Sequence, residues 1–283
     1  MFNQRDEMDS IECAALAIRN ASSMVITAGA GMGVDSGLPD FRGDEGFWAY
    51  YPSLYGHSFA DMANPKWFED DPYLAWGFYG HRLNLYRETV PHDGFSILNK
   101  WSQDKDTYIF TSNVDGQFQK SGFDPNRIVE CHGSIHWMQH LDGRDGEIWD
   151  GADVEVCVER ETLRAYGDLP TRNGKVIRPN ILMFGDWNWQ GERSDWQNSQ
   201  LSNWIRHKLE QSPSTNLEDL VIVEMGAGTS IPTVRRQGER LQSAGATLIR
   251  INPREAQGPA ETISIASGAK DGLQKIDLAL ADL

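Results

Sequence analysis

The chain has 283 residues, of which 40% are hydrophobic and 24% charged, and its formal net charge is −15 at pH 7. An acidic surface repels phosphate backbones, so direct binding to nucleic acid is not expected, and no apolar run comes near the roughly 18 residues that a membrane helix needs. The polar N-terminus lacks the basic and apolar regions of a secretory signal, which predicts a cytoplasmic protein. Three distant cysteines, Cys13, Cys131 and Cys157, predict reduced thiols.

The predicted elements begin with a helix over residues 10–21 and a strand over residues 24–28 that ends at a glycine. Similar apolar runs predict strands over residues 107–113, 220–228 and 246–252. Helical spacing of apolar residues predicts a crossover helix over 234–245 and a closing helix over 270–283.

Two stretches interrupt this alternation of strands and helices. Residues 44–104 are rich in aromatic side chains and predicted to be mostly helical, whereas residues 135–177 are polar, acidic, glycine-rich and predicted to be irregular. We therefore expect an α/β fold in one domain over 1–283: a Rossmann-like parallel sheet with helices on both faces, plus a smaller inserted lobe. The sheet would use residues 1–43, 105–134 and 178–283, and the two insertions would form the lobe.

A glycine-rich turn follows the first strand, in the sequence ITAGAGMGVDSGLPDFRG over residues 26–43. Gly29, Gly31 and Gly33 would let main-chain N–H groups at a helix N-terminus bind a pyrophosphate, which indicates a dinucleotide. The spacing is GxGxG rather than GxGxxG. The place where a dehydrogenase carries a ribose-binding acid holds PDFRGDEGFW instead, which disfavours hydride transfer.

Six blocks in order, GAGMGVDSGLPDFRG, TSNVDG, CHGS, MFGD, GTS and IN, resemble the sirtuin family of NAD-dependent protein deacylases, over residues 11 to 280. The resemblance implies NAD as cofactor and an acylated lysine of a protein or peptide as partner. The acyl group would pass to ADP-ribose with release of nicotinamide. Two alternatives stay open: an NAD hydrolase or protein ADP-ribosyltransferase on the same fold, and a non-catalytic NAD-binding module. No particular oligomeric state is predicted.

The resemblance also assigns site residues. His132 would be the base, since histidine titrates near neutral pH and can take a proton from a ribose hydroxyl, and Asn113 and Asp115 would share the catalytic site. Phe41 would cover the vacated nicotinamide site, and Arg42 would pair with phosphate. The residues that would bind NAD are Gly29, Ala30, Gly31, Gly33, Asp40, Phe41, Arg42, Ser112, Asn113, Val114, Asp115, Gly228, Thr229, Ser230 and Asn252. The family usually has Ser at the position of Gly33 and Gln at that of Ser112, which puts NAD affinity in question.

Substrate binding is assigned by two further blocks. Met183, Phe184 and Gly185 would contact the acylated substrate. Tyr79 and Arg82 lie three residues apart on a predicted helix, so that their hydroxyl and guanidinium could meet one carboxylate. They resemble the Tyr-x-x-Arg pair of sirtuins that remove succinyl, malonyl or glutaryl groups. The alternative is that both are ordinary surface residues of a helix.

Most sirtuins carry a zinc ion held by two cysteine pairs, and here the corresponding segment contains only Cys157. Because tetrahedral zinc needs four good ligands, no metal is predicted. His136 and His140, one helical turn apart, are conceivable ligands, but with one thiolate nearby they are interpreted as surface histidines. Four tryptophans are interpreted as local core that holds the small lobe together, with a surface for a partner as the alternative, namely Trp187, Trp189, Trp196 and Trp204.

Overall fold

The computed structural model describes residues 4–40, 43–143 and 146–283, so Phe41 and Arg42, both predicted to bind NAD, lie outside the described residues. The α-helices of the described chain are α1 (Gln4–Asn20), α2 (Gly43–Tyr50), α3 (Phe59–Met62), α4 (Trp67–Asp70), α5 (Pro72–Glu88), α6 (Asp93–Ser102), α7 (Gln117–Lys120), α8 (Glu192–Gln211), α9 (Thr233–Ser243) and α10 (Ala269–Ala281). The strands are β1 (Ser23–Ala28), β2 (Asp106–Thr111), β3 (Ile128–Glu130), β4 (Gly133–His140), β5 (Ile148–Asp150), β6 (Cys157–Glu159), β7 (Arg164–Tyr166), β8 (Thr171–Arg172), β9 (Lys175–Ile181), β10 (Leu220–Met225), β11 (Thr247–Ile251) and β12 (Ile263–Ile265). Within these ranges, no helix has the length and apolar character needed to span a bilayer.

Six parallel strands form the main sheet, in the order β12-β11-β10-β1-β2-β3. Every residue of β1 and β10 is buried, as expected for parallel strands covered on both faces. Alternate residues of β1 serve the two faces: Met24 and Ile26 join a core with α1, α6 and α10, and Val25 joins one with α8 and α9. The predicted fold class is confirmed. Because the strand order reverses between β1 and β10, the crevice at their carboxyl ends is the expected ligand site.

The small lobe combines α2 to α5 with a four-stranded antiparallel sheet, in the order β5-β4-β9-β8, and the hairpin β6-β7. Its core is aromatic and includes Phe47, Trp76 and Phe78 against Ile135 and Met138. The helical character predicted for residues 44–104 is confirmed. The irregular structure predicted for 135–177 is wrong, because these polar residues pair as strands with partners far away in the sequence.

Helix α5 binds the main chain of this lobe directly. Trp76 Nε1 donates to the Ile177 carbonyl at 2.9 Å, and Asn84 Nδ2 donates to the Val156 carbonyl at 3.0 Å. The Arg87 guanidinium donates to the carbonyls of Val154 and Gly151 at 2.6 and 2.8 Å. Hydrogen bonds to a charged donor contribute roughly twice as much as neutral ones. These hydrogen bonds hold in place the segment around Cys157, which corresponds to the zinc-binding segment of the family that the sequence resembles.

Close packing of α5 depends on two glycines. A Cβ on Gly77 would lie 2.0 Å from the Leu163 carbonyl oxygen, whereas a Cβ on Gly80 would lie 2.5 Å from a Val156 methyl carbon. We expect Gly77→Ala to lower the free energy of unfolding by about 3 kcal/mol, at the upper end of overpacking effects, because a backbone cannot move aside without displacing the hairpin. Gly80→Ala should be milder but still destabilising, since its added Cβ meets Val156 Cγ1 and Cβ at 2.5 and 2.7 Å, and not a main-chain oxygen at 2.0 Å. Urea unfolding of both variants tests this, and a larger loss for Gly80→Ala would contradict the packing argument.

The tryptophans interpreted as local core divide into two groups. Trp204 is half-buried and donates from Nε1 to Asp106 Oδ2 at 2.8 Å, and Trp189 is also half-buried. Trp187 and Trp196, by contrast, are 96% and 53% exposed. The core interpretation is therefore wrong for Trp187 and Trp196, and α5 provides contacts that this interpretation assigned to them.

Candidate active site

The glycine-rich turn lies at the carboxyl end of β1, against the turn that follows β10. Gly31 N–H donates to the Gly226 carbonyl at 3.1 Å, and a Cβ on Gly31 would lie 2.7 Å from Gly226 Cα. Gly226 has a φ of +59°, which favours glycine. Both turns therefore need glycine for their backbones to touch at the point where the strand order reverses.

The main-chain donors of this turn are mostly used within the protein. The N–H groups of Gly29, Gly31, Met32 and Gly33 donate to carbonyls at 3.0 to 3.1 Å. These N–H groups therefore hold the turn itself, and the binding of NAD by Gly29, Gly31 and Gly33 stays a prediction. Ala30 is exposed at the tip of the turn, and Asp40 is half-exposed at its end.

A second group of predicted NAD-binding residues follows β10 and β11 at the same edge of the sheet. Thr229 and Ser230 are exposed beside the half-buried Gly228, and the Thr229 hydroxyl donates to the Glu255 carboxylate. Asn252 is buried, donates from Nδ2 to the Ala227 carbonyl at 3.0 Å and accepts the N–H of Glu255 at 3.0 Å. Asn252 thus holds together the turns that carry the other three predicted residues.

The predicted residues after β2 are fixed to the glycine-rich turn. Ser112 N–H donates to the Ala28 carbonyl at 3.1 Å, and Asn113 Nδ2 donates to the Gly29 carbonyl at 3.0 Å. Asp115 is buried and accepts the Gln117 N–H at 3.0 Å. Burial raises the pKa of Asp115 to about 6, while the Gln117 hydrogen bond opposes that rise. This carboxyl group therefore titrates close to neutral pH.

His132 follows β3, and its neighbours fix its backbone. Its carbonyl accepts the Leu182 N–H at 3.0 Å, and a Cβ on Gly133, which has a φ of +76°, would lie 2.0 Å from the Asn180 carbonyl oxygen. The His132 imidazole is half-buried, and burial lowers its pKa below the usual 6.5. The ring is therefore neutral at pH 7, the state that a general base requires.

Strand pairing brings these two segments together. β2 pairs with β3, with Thr111 opposite Glu130, so the residues that follow each strand emerge at the same edge. Ile135 N–H donates to the Val114 carbonyl at 3.0 Å, and the His136 ring nitrogen Nε2 lies 3.1 Å from the Asp115 carbonyl oxygen. His132 and the segment 112–115 thus lie side by side at one edge of the sheet.

Sequence analysis missed the buried acid that holds β3 in place. The carboxylate of Glu130 pairs with Arg193, and its main chain binds Gln197 Oε1 at 3.1 Å and the Ser194 hydroxyl at 2.8 Å. All three partners lie on α8. The sequence did contain a signal for this residue, because Glu130 ends a short apolar strand and lies two residues before His132.

Tyr79 and Arg82 are buried on α5, so the interpretation of this pair as surface residues is wrong. Arg82 donates from Nε and Nη2 to the Tyr86 hydroxyl at 3.0 and 2.9 Å, and its guanidinium lies 5.3 to 5.8 Å from four aromatic ring centroids. The buried Tyr79 hydroxyl has no hydrogen-bond partner among the described residues. Tyr86, one helical turn beyond Arg82, was missed by sequence analysis, although its i, i+4 spacing was visible.

The predicted substrate residues Met183, Phe184 and Gly185 adjoin this pair. Met183 is buried, Phe184 is 42% exposed and Gly185 is exposed. Phe184 N–H donates to the Ala63 carbonyl at 2.8 Å, and its ring meets the edge of Phe59 at 6.3 Å between centroids. Phe59 is also one of the rings around Arg82. A continuous aromatic wall therefore joins Arg82 to the loop around Phe184.

The two histidines considered as metal ligands are not surface residues, which corrects their interpretation. His136 is half-buried beside Asp115, and His140 is buried with its ring 5.0 Å from that of Trp149. Across residues 4–40, 43–143 and 146–283, no group of three or more His, Cys, Asp or Glu side chains is arranged to hold a metal ion.

The parallel sheet, the glycine turn at its reversal point and the inserted lobe define a Rossmann-like α/β protein. The model of the Sir2 family matches residues 29–202, more than half of the chain, and the chain therefore belongs to the Sir2 family.

Relatives and solved structures agree with this assignment. The NAD-dependent protein deacetylase of Saccharolobus solfataricus is 31% identical over 172 residues, covering 59% of this chain and 62% of that protein. The NAD-dependent protein deacylase of Aquifex aeolicus is 29% identical over 169 residues, covering 58% and 62%. The chain thus spans about three fifths of these relatives' length. A crystal structure of a Sir2 homolog–NAD complex superposes with a TM-score of 0.70 at 19% identity, covering 96% of this chain and 94% of that one, which establishes the fold.

Proposed function

We propose that this protein is an NAD-dependent protein-lysine deacylase that transfers the acyl group of an acylated lysine to ADP-ribose and releases nicotinamide. The observation that carries the proposal is the placement of His132 and residues 112–115 side by side at one edge of the sheet, next to the glycine turn to which Asn113 is bound. The relatives named NAD-dependent protein deacylases support the same reaction class.

The residues at the sheet edge fit NAD in their chemistry. The exposed turns at Ala30 and at Thr229 and Ser230 would face its pyrophosphate, and Asn252 would hold the turn beside its adenosine. The buried Asp115 carboxyl and the Val114 main chain would hold the nicotinamide carboxamide. Asp40, Phe41 and Arg42 would complete the site. When bound, NAD supplies a ribose whose bond to nicotinamide can be cleaved.

Two side chains of the protein, those of His132 and Asn113, would have separate roles in the reaction. Neutral His132 would accept a proton from a ribose hydroxyl, since burial keeps its pKa below 6.5. Asn113 is held through Nδ2 by the Gly29 carbonyl, so its side-chain oxygen would orient the ribose or an attacking water. Positioned groups of this kind act chiefly on the transition state.

We also propose that the enzyme prefers acidic acyl groups such as succinyl or malonyl. Arg82 supplies a buried cation and Tyr79 a buried hydroxyl without a partner in the described structure, and both could contact one carboxylate. Burying a carboxylate without such partners is unfavourable. A panel of acetyl-, succinyl-, malonyl- and long-chain-acyl-lysine peptides, assayed with NAD, tests both proposals.

One observation favours a second candidate, an NAD hydrolase or protein ADP-ribosyltransferase. Gly33 and Ser112 stand where the family usually has serine and glutamine, so this chain lacks two side chains that would contact NAD in a typical deacylase of the family. Nicotinamide release at the same rate with and without acylated peptide would favour this candidate over the deacylase.

We further propose that the small lobe holds no structural zinc, because α5 and the buried Arg178–Asp186 ion pair fix the segment concerned. The purified protein is expected to contain less than about 0.1 zinc per chain and to keep its thermal midpoint in EDTA, since losing a structural zinc removes folding free energy. Elemental analysis showing about one zinc per chain would refute this. Cys157, His136 and His140 would then be the first ligands to replace.

A further inference from the structure

The loop over residues 183–190 carries an exposed aromatic residue, Trp187, although hydrogen bonds from the neighbouring residues fix the loop to the protein. Trp187 is 96% exposed, whereas the side chain of the adjacent Asp186 is fully buried and accepts two hydrogen bonds from Arg178 at 2.6 and 2.8 Å. Gln139 Nε2 also donates to the Asn188 carbonyl at 2.9 Å. A tryptophan held in water by an ordered loop contributes no folding energy through burial, so its place points to a binding contact.

A surface cavity of about 210 Å³ lies beside this tryptophan. Its charged wall residues are Lys66, Glu69, Arg178 and Asp186. Lys66 pairs with Asp70 at 2.8 Å and Arg178 with Asp186, whereas Glu69 makes no ion pair among the described residues. The cavity therefore joins an aromatic ring to one uncompensated carboxylate, which suits a cationic side chain.

The cavity adjoins the proposed substrate site. Phe184 lies in the same loop as Trp187 and meets Phe59, which in turn packs against Arg82. A polypeptide whose acylated lysine reaches Arg82 would therefore pass close to Trp187. The net charge of −15 also favours a basic partner over an acidic one.

We propose that Trp187 and Glu69 bind a lysine or arginine side chain of the substrate, close in sequence to its acylated lysine. The inference rests on the proposed deacylase function and assigns its substrates to basic segments of proteins. The cation would lie on the indole face and pair with the Glu69 carboxylate, while the acyl group enters the Arg82 site.

The test uses the purified full chain and a set of succinyl-lysine peptides in which one lysine is moved through the four positions on either side, each matched with a glutamine peptide. At one position, KM is expected to be about 3- to 10-fold lower for the lysine peptide with kcat unchanged, as one cation–π contact plus one exposed ion pair would give. Trp187→Ala and Glu69→Gln should each remove that preference, and Glu69→Lys should transfer it to a glutamate peptide. Trp196→Ala, an exposed tryptophan on α8, is the matched control and should leave the preference intact.

The outcomes separate this inference from the function on which it rests. Turnover that is equal for lysine and glutamine peptides at every position would overturn the inference and leave the deacylase proposal standing. If no peptide is turned over, calorimetric titration of the same peptides tests the inference alone. Tighter binding of a lysine peptide that is lost in Trp187→Ala would support a cation site at Trp187 and Glu69. Equal binding of the lysine and glutamine peptides would overturn the inference.

Discussion

Replacing His132 with alanine is expected to lower the kcat/KM for acylated peptide by about 10²- to 10⁴-fold, the usual contribution of a positioned general base. NAD binding should change little, because the predicted dinucleotide contacts lie on the segments after β1, β2, β10 and β11 and do not include His132. Nicotinamide release with acylated peptide measures the first effect and titration calorimetry with NAD the second. His207→Ala, which alters an exposed histidine on α8, is the control and should retain full activity.

The pH profile offers an independent check on this assignment. A base must be deprotonated to act, and burial lowers the pKa of His132, so activity should fall only as the pH drops below 6.5. Burial raises the pKa of Asp115 to about 6. If its carboxylate must accept a hydrogen bond from the carboxamide, protonation of Asp115 would cause a second loss of activity as the pH falls. His132→Ala should remove the first of these pH dependences and keep the second. More than a tenth of wild-type activity in that variant would exclude His132 as the base.

Replacing Arg82 with methionine is expected to lower kcat/KM for succinyl-lysine by about 30- to 150-fold and to leave acetyl-lysine nearly unchanged. A charge-assisted contact to a buried carboxylate is worth about 2–3 kcal/mol of transition-state binding, and an acetyl group cannot make it. The net charge of −15 repels acidic substrates at long range, but salt screens that repulsion beyond about 10 Å at 0.1 M. The contact in the pocket should therefore dominate.

Because Arg82 packs among four aromatic rings, its replacement could also disturb the lobe, and Tyr86→Phe separates the two effects. That variant keeps the cation and removes the hydroxyl that accepts from Arg82 at 2.9 and 3.0 Å. A smaller loss confined to succinyl-lysine is expected, with thermal midpoints recorded for both variants. If Arg82→Met lowers both activities equally, the pair is structural, and the deacylase proposal stands without its acyl preference.

The parts of the fold that local sequence could predict are those whose evidence is local. The run at β1 is apolar, β-branched and ended by a glycine, and α9 shows its apolar period within eleven residues. The ion pair of Glu224 and Arg250 could not be predicted, because these charges lie in otherwise apolar strands. Only the register that places β10 beside β11 shows that they neutralise each other.

The same limit applies to the candidate site. The order of short blocks indicated His132, Asn113 and Asp115, but it gave no sign that the glycine N–H groups donate within the protein, to Met225, Gly226 and Ala30. Hydrophobicity alone predicted that Trp187 is buried, since an isolated sequence does not reveal which aromatic residues an ordered loop leaves in water. Long-range pairing also made strands of residues 135–177, where composition indicated a loop.

The hydrogen bonds that α5 sends to the small lobe end on the main-chain carbonyls of Gly151, Val154, Val156 and Ile177. Every amino acid carries such a carbonyl, so these hydrogen bonds constrain the path of the chain and not its side chains, although Val156 and Ile177 are also buried in the lobe core. Gly151 is an exception, because a Cβ there would lie 2.6 Å from Met138 Cε. The exposed side chains of Ala152, Asp153 and Glu155 could therefore be replaced to introduce a new recognition sequence, while the half-buried Val154 and the carbonyls keep the lobe attached to α5.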